Sequence, residues 1–340
     1  MTHTTRIGMA DATDLLFRAF RATGLTGDAA RSVADALVQA EAEGQVGHGF
    51  SRLADYMAQA RSGKVNAGAV PRVHTLSPTQ LAVDADHGFA FPALDLGIAE
   101  GLRVADELGM ASVAITRSHH AGALSVQVDR IARAGFIGLM MANTPKAIAP
   151  WGGSAPVYGT NPIAFAVPRD GADPLVIDLS LSQVARGKVM HARKTGQPIP
   201  EGWALDADGQ PTTNPEAALQ GSMMPIGGAK GTALALMVEI LSTVLTSAAF
   251  SAEAGSFFTA DGPPPGVGQF LLILRPDSPA HDFAARLESL LSLVTDEDGT
   301  RLPGERRLKQ LWAAQLGGLA VPDHYLAIAH ELADRPAAQA

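Results

Sequence analysis

The chain has 340 residues, 46% of them hydrophobic, a formal net charge of −8 and no cysteine. That length allows two or three domains with substantial cores, and an acidic balance without blocks of like charge argues against nucleic acid or an anionic membrane as a partner. Lack of cysteine excludes disulfides, thiolate nucleophiles and thiolate zinc sites; the start, MTHTTRIGMADATDLL, lacks a signal-peptide pattern and no run approaches ~18 apolar residues, so a soluble cytoplasmic protein is expected.

Residues 11–23 place Leu15, Leu16, Ala19 and Phe20 on one helical face, and Gly24 ends them. Thr26 or Asp28 caps a second helix, with Val33, Ala36, Leu37 and Ala40 facing inward as far as Gly44. The chain then enters GQVGHGFSRL, 44–53, a glycine-rich turn in which His48 and Arg52 lie four apart. If a helix resumes at Gly49, both side chains project from one face at its start. Leu81–Asp84 reads as a strand, Pro92 opens a helix running to Leu108, and 111–116 is a buried strand delivering Arg117, Ser118, His119 and His120. A short helix covers 126–134.

The stretch from Asn143 to Arg169 is stiffened by Pro145, Pro150, Pro156, Pro162 and Pro168 and by Gly152, Gly153 and Gly159. Flanked by the apolar runs 136–142 and 163–167, both read as buried strands, it is a prescribed loop able to present Ser154, Thr160 and Asn161 to a small molecule. Leu175–Asp178 is a further strand, and its exit through Leu179 and Ser180 leads to a helix over 184–194. Turn chemistry fills 199–215, GGAKG at 227–231 precedes an apolar helix, 269–274 is a strand, and 282–293 is a helix. RLPGERR, 301–307, opens a terminal helical region, and 335–340 reads as a disordered tail.

No strand is followed by GxGxxG, and GGAKGT and RGKV lack the order of a P-loop, so a dinucleotide would bind something other than a Rossmann fold. Lys230, between glycines at a helix start, has the charge, free amides and dipole of an anion site; a solvated lysine capping a loop is the plain alternative. His48 and Arg52 suit reduction of a carbonyl beside a carboxylate. Imidazole can protonate the developing alkoxide, and guanidinium binds the planar carboxylate in two-point fashion. Spacing alone favours a surface histidine and a structural arginine. Adjacent His119 and His120 are expected to point apart, and with no HExxH spacing a metal site is rejected.

Taken in order, HGFSRL, SHHAG, GTNPIAFAVP, DLSLSQVARGK, IPEGWALDADGQPTTNP, GGAKG and LPGERR resemble the type-2 malate/L-lactate dehydrogenase family over nearly the whole chain. That family includes sulfolactate, ureidoglycolate, diketogulonate and cyclic imino acid oxidoreductases. The resemblance implies an α/β fold of α+β type: a non-Rossmann NAD(P)-binding domain on a largely antiparallel sheet, 76–279, and a helical substrate and dimerisation domain from both chain ends, 1–75 plus 280–335. It implies a homodimer using NAD or NADP on a small carboxylate substrate. It further implies catalytic roles for His48 and His120, substrate contacts at Arg52 and Thr160, and cofactor contacts at Ser118, His120, Gly122, Asp178, Leu179, Ser180, Lys230, Pro303, Gly304 and Arg306. Three departures stand out: Gly47 where the family often has serine, Lys188 where imine-reducing members carry an acid, and Ala229 where histidine is frequent. Lys188 points toward 2-oxo acids and away from cyclic imines. A non-catalytic descendant of such an enzyme is the third reading.

Overall fold

A computed structural model describes residues 3–277 and 282–334. It opens with strand β1 (Thr4–Ile7) and helices α1 (Met9–Arg21) and α2 (Gly27–Ala42), whose Leu15, Leu16, Phe20, Val33 and Leu37 are buried as their helical spacing requires. Thr26 caps α2, its hydroxyl accepting from the Ala29 N–H at 3.2 Å. In place of one continuous helix after Gly49, two short 3-10 turns, Val46–His48 and Phe50–Arg52, lead into α3 (Leu53–Arg61).

The sheet elements follow: β2 (Arg72–Ser77), β3 (Gln80–Asp84), α4 (Ala90–Leu108), β4 (Met110–Ser118), α5 (Leu124–Arg133), β5 (Ile137–Ala142), β6 (Ile163–Val167) and β7 (Leu175–Leu179). An excursion through α6 (Arg186–Thr195), β8 (Ala204–Leu205), α7 (Pro215–Gln220), β9 (Ser222–Met223) and α8 (Ala229–Glu239) precedes β10 (Val267–Leu274). The chain finishes with α9 (Phe283–Val294), α10 (Glu305–Gly317), β11 (Leu319–Pro322) and α11 (Asp323–Ala333).

Seven strands form the main sheet in the order β2-β3-β4-β10-β5-β6-β7. Only β3 and β4 run parallel, joined over α4, and every other neighbouring pair is antiparallel. This is the mixed, largely antiparallel sheet expected from the resemblance. Strand β10, the last of these seven in sequence, lies between β4 and β5, with Leu271 and Ile273 fully buried. The chain ends meet where β1 pairs antiparallel with β11. Their helices share a core with α2 and α3, including Leu16, Phe20, Leu37, Tyr56, Val321 and Ala329, while the sheet builds a separate core around Val113, Ile115, Met140 and Ile273.

Sequence reading missed β1, β2 and β11, because short strands with exposed faces carry little apolar alternation. The tail, 335–340, lies outside the described residues, as do residues 1, 2 and 278–281 of the expected domains.

Arg307 ties α10 to the rest of the fold. Its guanidinium is 2.9 Å from Glu43 Oε1 and 3.3 Å from Asp129 Oδ1, and all three side chains are buried. Removing the cation leaves the buried Glu43 without an ion-pair partner among the described residues, while Asp129 keeps Arg133 at 2.6 Å. Arg307→Ala should therefore cost about 3–5 kcal/mol in urea unfolding, and a loss below about 1 kcal/mol would show that the three charges are not coupled.

Candidate active site

The turn after α2 is shaped by a buried carboxyl. Glu41 Oε2 accepts the Phe50 N–H at 2.9 Å, and a Cβ on Gly49 would collide with that same oxygen. Gly49 is thus required by close approach, whereas a Cβ on Gly47 would meet nothing within 4 Å. The turn throws His48 and Arg52 to one side. Arg52 Nε donates to Gly47 O at 2.7 Å, its guanidinium lies 4.6 Å over the Phe258 ring, and Nη1 comes no closer than 3.9 Å to Asp55.

His48 stacks on His120, with ring centroids 5.2 Å apart at 25°. The expectation that His119 and His120 point apart fails. Strand β4 ends at Ser118, so the alternation of a strand no longer applies, and both rings meet Tyr56 and Phe257. His120 Nδ1 is 2.6 Å from the Tyr56 hydroxyl, and His119 Nε2 is 2.8 Å from Gln59 Oε1. Burial lowers all three imidazoles. His48 falls to about 4, with the Arg52 charge assisting, and His119 to about 3, with Lys64 and Arg52 assisting. His120 is held well below its usual value by burial, then by His48, Arg52 and His119. All three rings are neutral near pH 7.

Loop 143–162 connects the paired strands β5 and β6 and positions Thr160, whose N–H donates to Thr144 Oγ1 at 2.9 Å. Asn161 is not presented to a ligand. It is fully buried at φ 40°, and its amide donates to Glu239 Oε2 at 2.8 Å and Ala235 O at 3.0 Å. Ser154 is exposed on the outer part of the loop, against Gly209.

The other expected residues form two further groups. Ser118 is buried with its hydroxyl unpartnered among the described residues, and Gly122 adopts φ 68° beside Phe91. Asp178 accepts the Ser125 N–H at 2.8 Å, and burial, with Glu43 adding to it, pushes its carboxyl up to about 6. Beyond it Leu179 is exposed, and Ser180 Oγ lies 2.7 Å from Ser182 Oγ. Pro303 and Arg306 are exposed, and Gly304 packs so closely on β7 that a Cβ would come within 2.7 Å of Val176 O. Lys230 is exposed in the first turn of α8, behind Gly227 and Gly228 at φ 60° and 63°, with no hydrogen bond or ion pair among the described residues.

Sequence reading missed Tyr56, Gln59, Glu41 and Lys64. Tyr56 and Gln59 follow Arg52 by four and seven residues, the spacing of one helical face, and that was the available signal. Lys64 had none. It is buried and donates from Nζ to Ser256 O at 2.8 Å, Thr259 O at 2.9 Å and Asp261 O at 2.9 Å, so it holds the loop that supplies Phe257 and Phe258.

An arginine fork beside neutral imidazoles, at the junction of a helical unit and a mixed sheet, has the chemistry of an oxidoreductase for small carboxylic acids. The malate/L-lactate dehydrogenase family model matches residues 7–328, and the chain belongs to that family. It is 50% identical over 301 residues to the (2R)-3-sulfolactate dehydrogenase (NADP(+)) of Chromohalobacter salexigens, covering 88% of this chain and 90% of that protein. It is 36% identical over 322 residues to a Delta(1)-pyrroline-2-carboxylate/Delta(1)-piperideine-2-carboxylate reductase of Pseudomonas aeruginosa, covering 94% and 96%. The crystal structure of the delta1-piperideine-2-carboxylate reductase from Pseudomonas syringae superposes with a TM-score of 0.92 at 35% identity, over 97% of this chain and 100% of that one.

Burial pushes the Glu41 carboxyl up to about 7 from 4.5. Its proton is held more tightly folded than unfolded, so its contribution to stability is complete below pH 4.5 and lost as pH rises through 7. Glu41→Gln, which mimics the protonated form, should therefore exceed the parent in stability by about 2–3 kcal/mol at roughly pH 8 and match it near pH 4.5. Urea unfolding at the two pH values measures this, and an equal difference at both would contradict it.

Proposed function

We propose that the chain interconverts a small 2-oxo acid and its 2-hydroxy acid, of malate, lactate or sulfolactate type, with NAD or NADP as the redox partner. The observation that carries this reading is Arg52, its Nε held on Gly47 O, near the neutral, stacked imidazoles of His48 and His120. Arg52 binds the substrate carboxylate through two parallel hydrogen bonds, its plane set by Gly47 O and the Phe258 ring. Thr160, at the foot of loop 143–162, adds a hydroxyl to the substrate side.

His48 moves the proton. Its Nδ1 is buried and unpartnered, so exchange is assigned to Nε2. A value of about 4 leaves the ring a ready base for hydroxy acid oxidation. For reduction the proton must arrive with the substrate. A carboxylate docked on Arg52 cancels part of the positive charge that, after burial, keeps the imidazole neutral, and so raises its proton affinity.

The chain's own geometry fits a dinucleotide. Lys230 at the glycine-led start of α8 offers charge and free amides to a phosphate, Asp178, Leu179 and Ser180 stand at the exit of β7, and Gly304 packs on Val176 of the same strand. Ser118, Gly122 and His120 line the end of β4, where the unpartnered Ser118 hydroxyl is free to meet a carboxamide. When bound, the nicotinamide supplies or accepts the hydride.

The imine-reducing relatives support a second electrophile, a cyclic 2-imino acid bound through the same carboxylate. We assign residues 76–279 to the cofactor side and 1–75 with 280–335 to the substrate side, in a cytoplasmic homodimer. Exposed apolar side chains support a dimer surface on α8 and the turn after it, where Leu236, Met237, Ile240 and Val244 are 44%, 49%, 46% and 60% exposed, and equally on the chain ends, where Leu293 and Leu316 are 75% and 92% exposed.

Following reduced-cofactor absorbance with oxaloacetate, pyruvate, sulfopyruvate and pyrroline-2-carboxylate tests the reading: a 2-oxo acid should be the best substrate, and no turnover on any would refute it. His48→Asn should lower kcat on the best substrate by on the order of 10²- to 10⁴-fold with cofactor affinity retained. Lys230→Ala should raise the cofactor KM and leave the substrate KM nearly unchanged; the reverse pattern would move Lys230 out of the cofactor site.

A further inference from the structure

Tyr56 and His120 lie 64 residues apart in the chain, yet a short side-chain contact joins them. The Tyr56 hydroxyl is 2.6 Å from His120 Nδ1, and Tyr56 is fully buried. Among the described residues the hydroxyl has no other hydrogen-bond partner. Two proton arrangements satisfy that distance. If Nδ1 donated to the phenolic oxygen, the phenolic proton would be buried without an acceptor, at a cost of about 1–3 kcal/mol. If the phenol donates to Nδ1, nothing polar is left unpaired in that contact. Burial also pushes the Tyr56 phenol far up, so it keeps its proton, and His120 is held neutral.

We propose that Tyr56 is a positioning residue that fixes the tautomer of His120 with its proton on Nε2, making His120 a hydrogen-bond donor while His48 alone transfers the proton. This rests on the reading that the two stacked rings face the substrate. The neighbouring contact follows the same design. Gln59, one turn further along α3, donates from Nε2 to Phe257 O at 2.8 Å, which leaves Oε1 to accept from His119 Nε2–H at 2.8 Å. Helix α3 thereby sets the proton positions of both histidines at the end of β4. A neutral Nε2–H cannot serve as an acid without passing through imidazolate, so it stabilises a developing negative oxygen by donation only. His48, whose ring has no such phenolic partner, keeps the freedom to gain and lose a proton at Nε2.

The test is imidazole ¹⁵N NMR of the full chain, with His120 assigned by its loss in His120→Asn. A protonated Nε2 and an unprotonated, hydrogen-bonded Nδ1 are expected in the parent, with a mixed or shifted tautomer in Tyr56→Phe. A proton on Nδ1 in the parent, or spectra unmoved by Tyr56→Phe, would overturn the assignment whatever the turnover. Kinetics then separate the roles. His120→Gln, whose amide stands near the place of Nε2–H, should retain activity within about tenfold of the parent, while His120→Asn loses on the order of 10²-fold or more. If His120→Gln is as inactive as His48→Gln, His120 carries the proton and the division of labour is wrong. Should no acid on the panel turn over while the Nε2–H signal stands, the reading of the site fails, and the catalytic half of the proposal with it.

Discussion

The site depends on one joint, the seating of α3 on the end of β4. Arg52, Tyr56 and Gln59 share a face of that helix and its entry turn, and the last two bond the histidines that follow the strand. Because Tyr56, Gln59 and His119 are essentially excluded from water, each hydrogen bond must be made or the group is stranded, and the joint has one low-energy arrangement. Lys64 extends the constraint. Its ammonium gathers carbonyls from 256 to 261, which brings Phe257 against both histidines and Phe258 under Arg52. Helix α3 and the end of β4 are thus referenced to each other through a dry contact.

Electrostatics around the joint pull in opposite directions. Histidines with values below 6.5 bind fewer protons folded than unfolded, so they cost stability as pH falls from 6.5 toward 4. Glu41 and Asp178, raised to about 7 and about 6, do the reverse and cost stability as pH rises through those values. Both classes arise from the same cause, ionisable groups placed where water is scarce.

The departures from relatives become physical once the turn is seen. Gly47 has open space where a Cβ would sit, so the missing hydroxyl is not enforced by packing, while Gly49 is enforced by Glu41. Orientation that a serine could have supplied to His48 is instead limited to stacking on His120, itself held by Tyr56. Lys188 is exposed in the first turn of α6 and contributes no carboxylate to the imidazole.

Much of the local architecture was legible in residue order. Helical periodicity located α1 and α2, glycine and proline bounded the loop before β6, and ordered motifs pointed to a family that matches residues 7–328. The sequence also nominated His48 and Arg52, because imidazole and guanidinium in a glycine turn are readable as chemistry, while His120 was nominated only by the family resemblance of SHHAG. It could not place β10 between β4 and β5, nor join β1 to β11, since strand pairing across long separations leaves no periodic trace. Nor could it tell that Asn161 is buried on Glu239 or that Tyr56 reaches a histidine 64 residues away. Those facts depend on which polar groups lose their water together, and only the packed tertiary structure decides that.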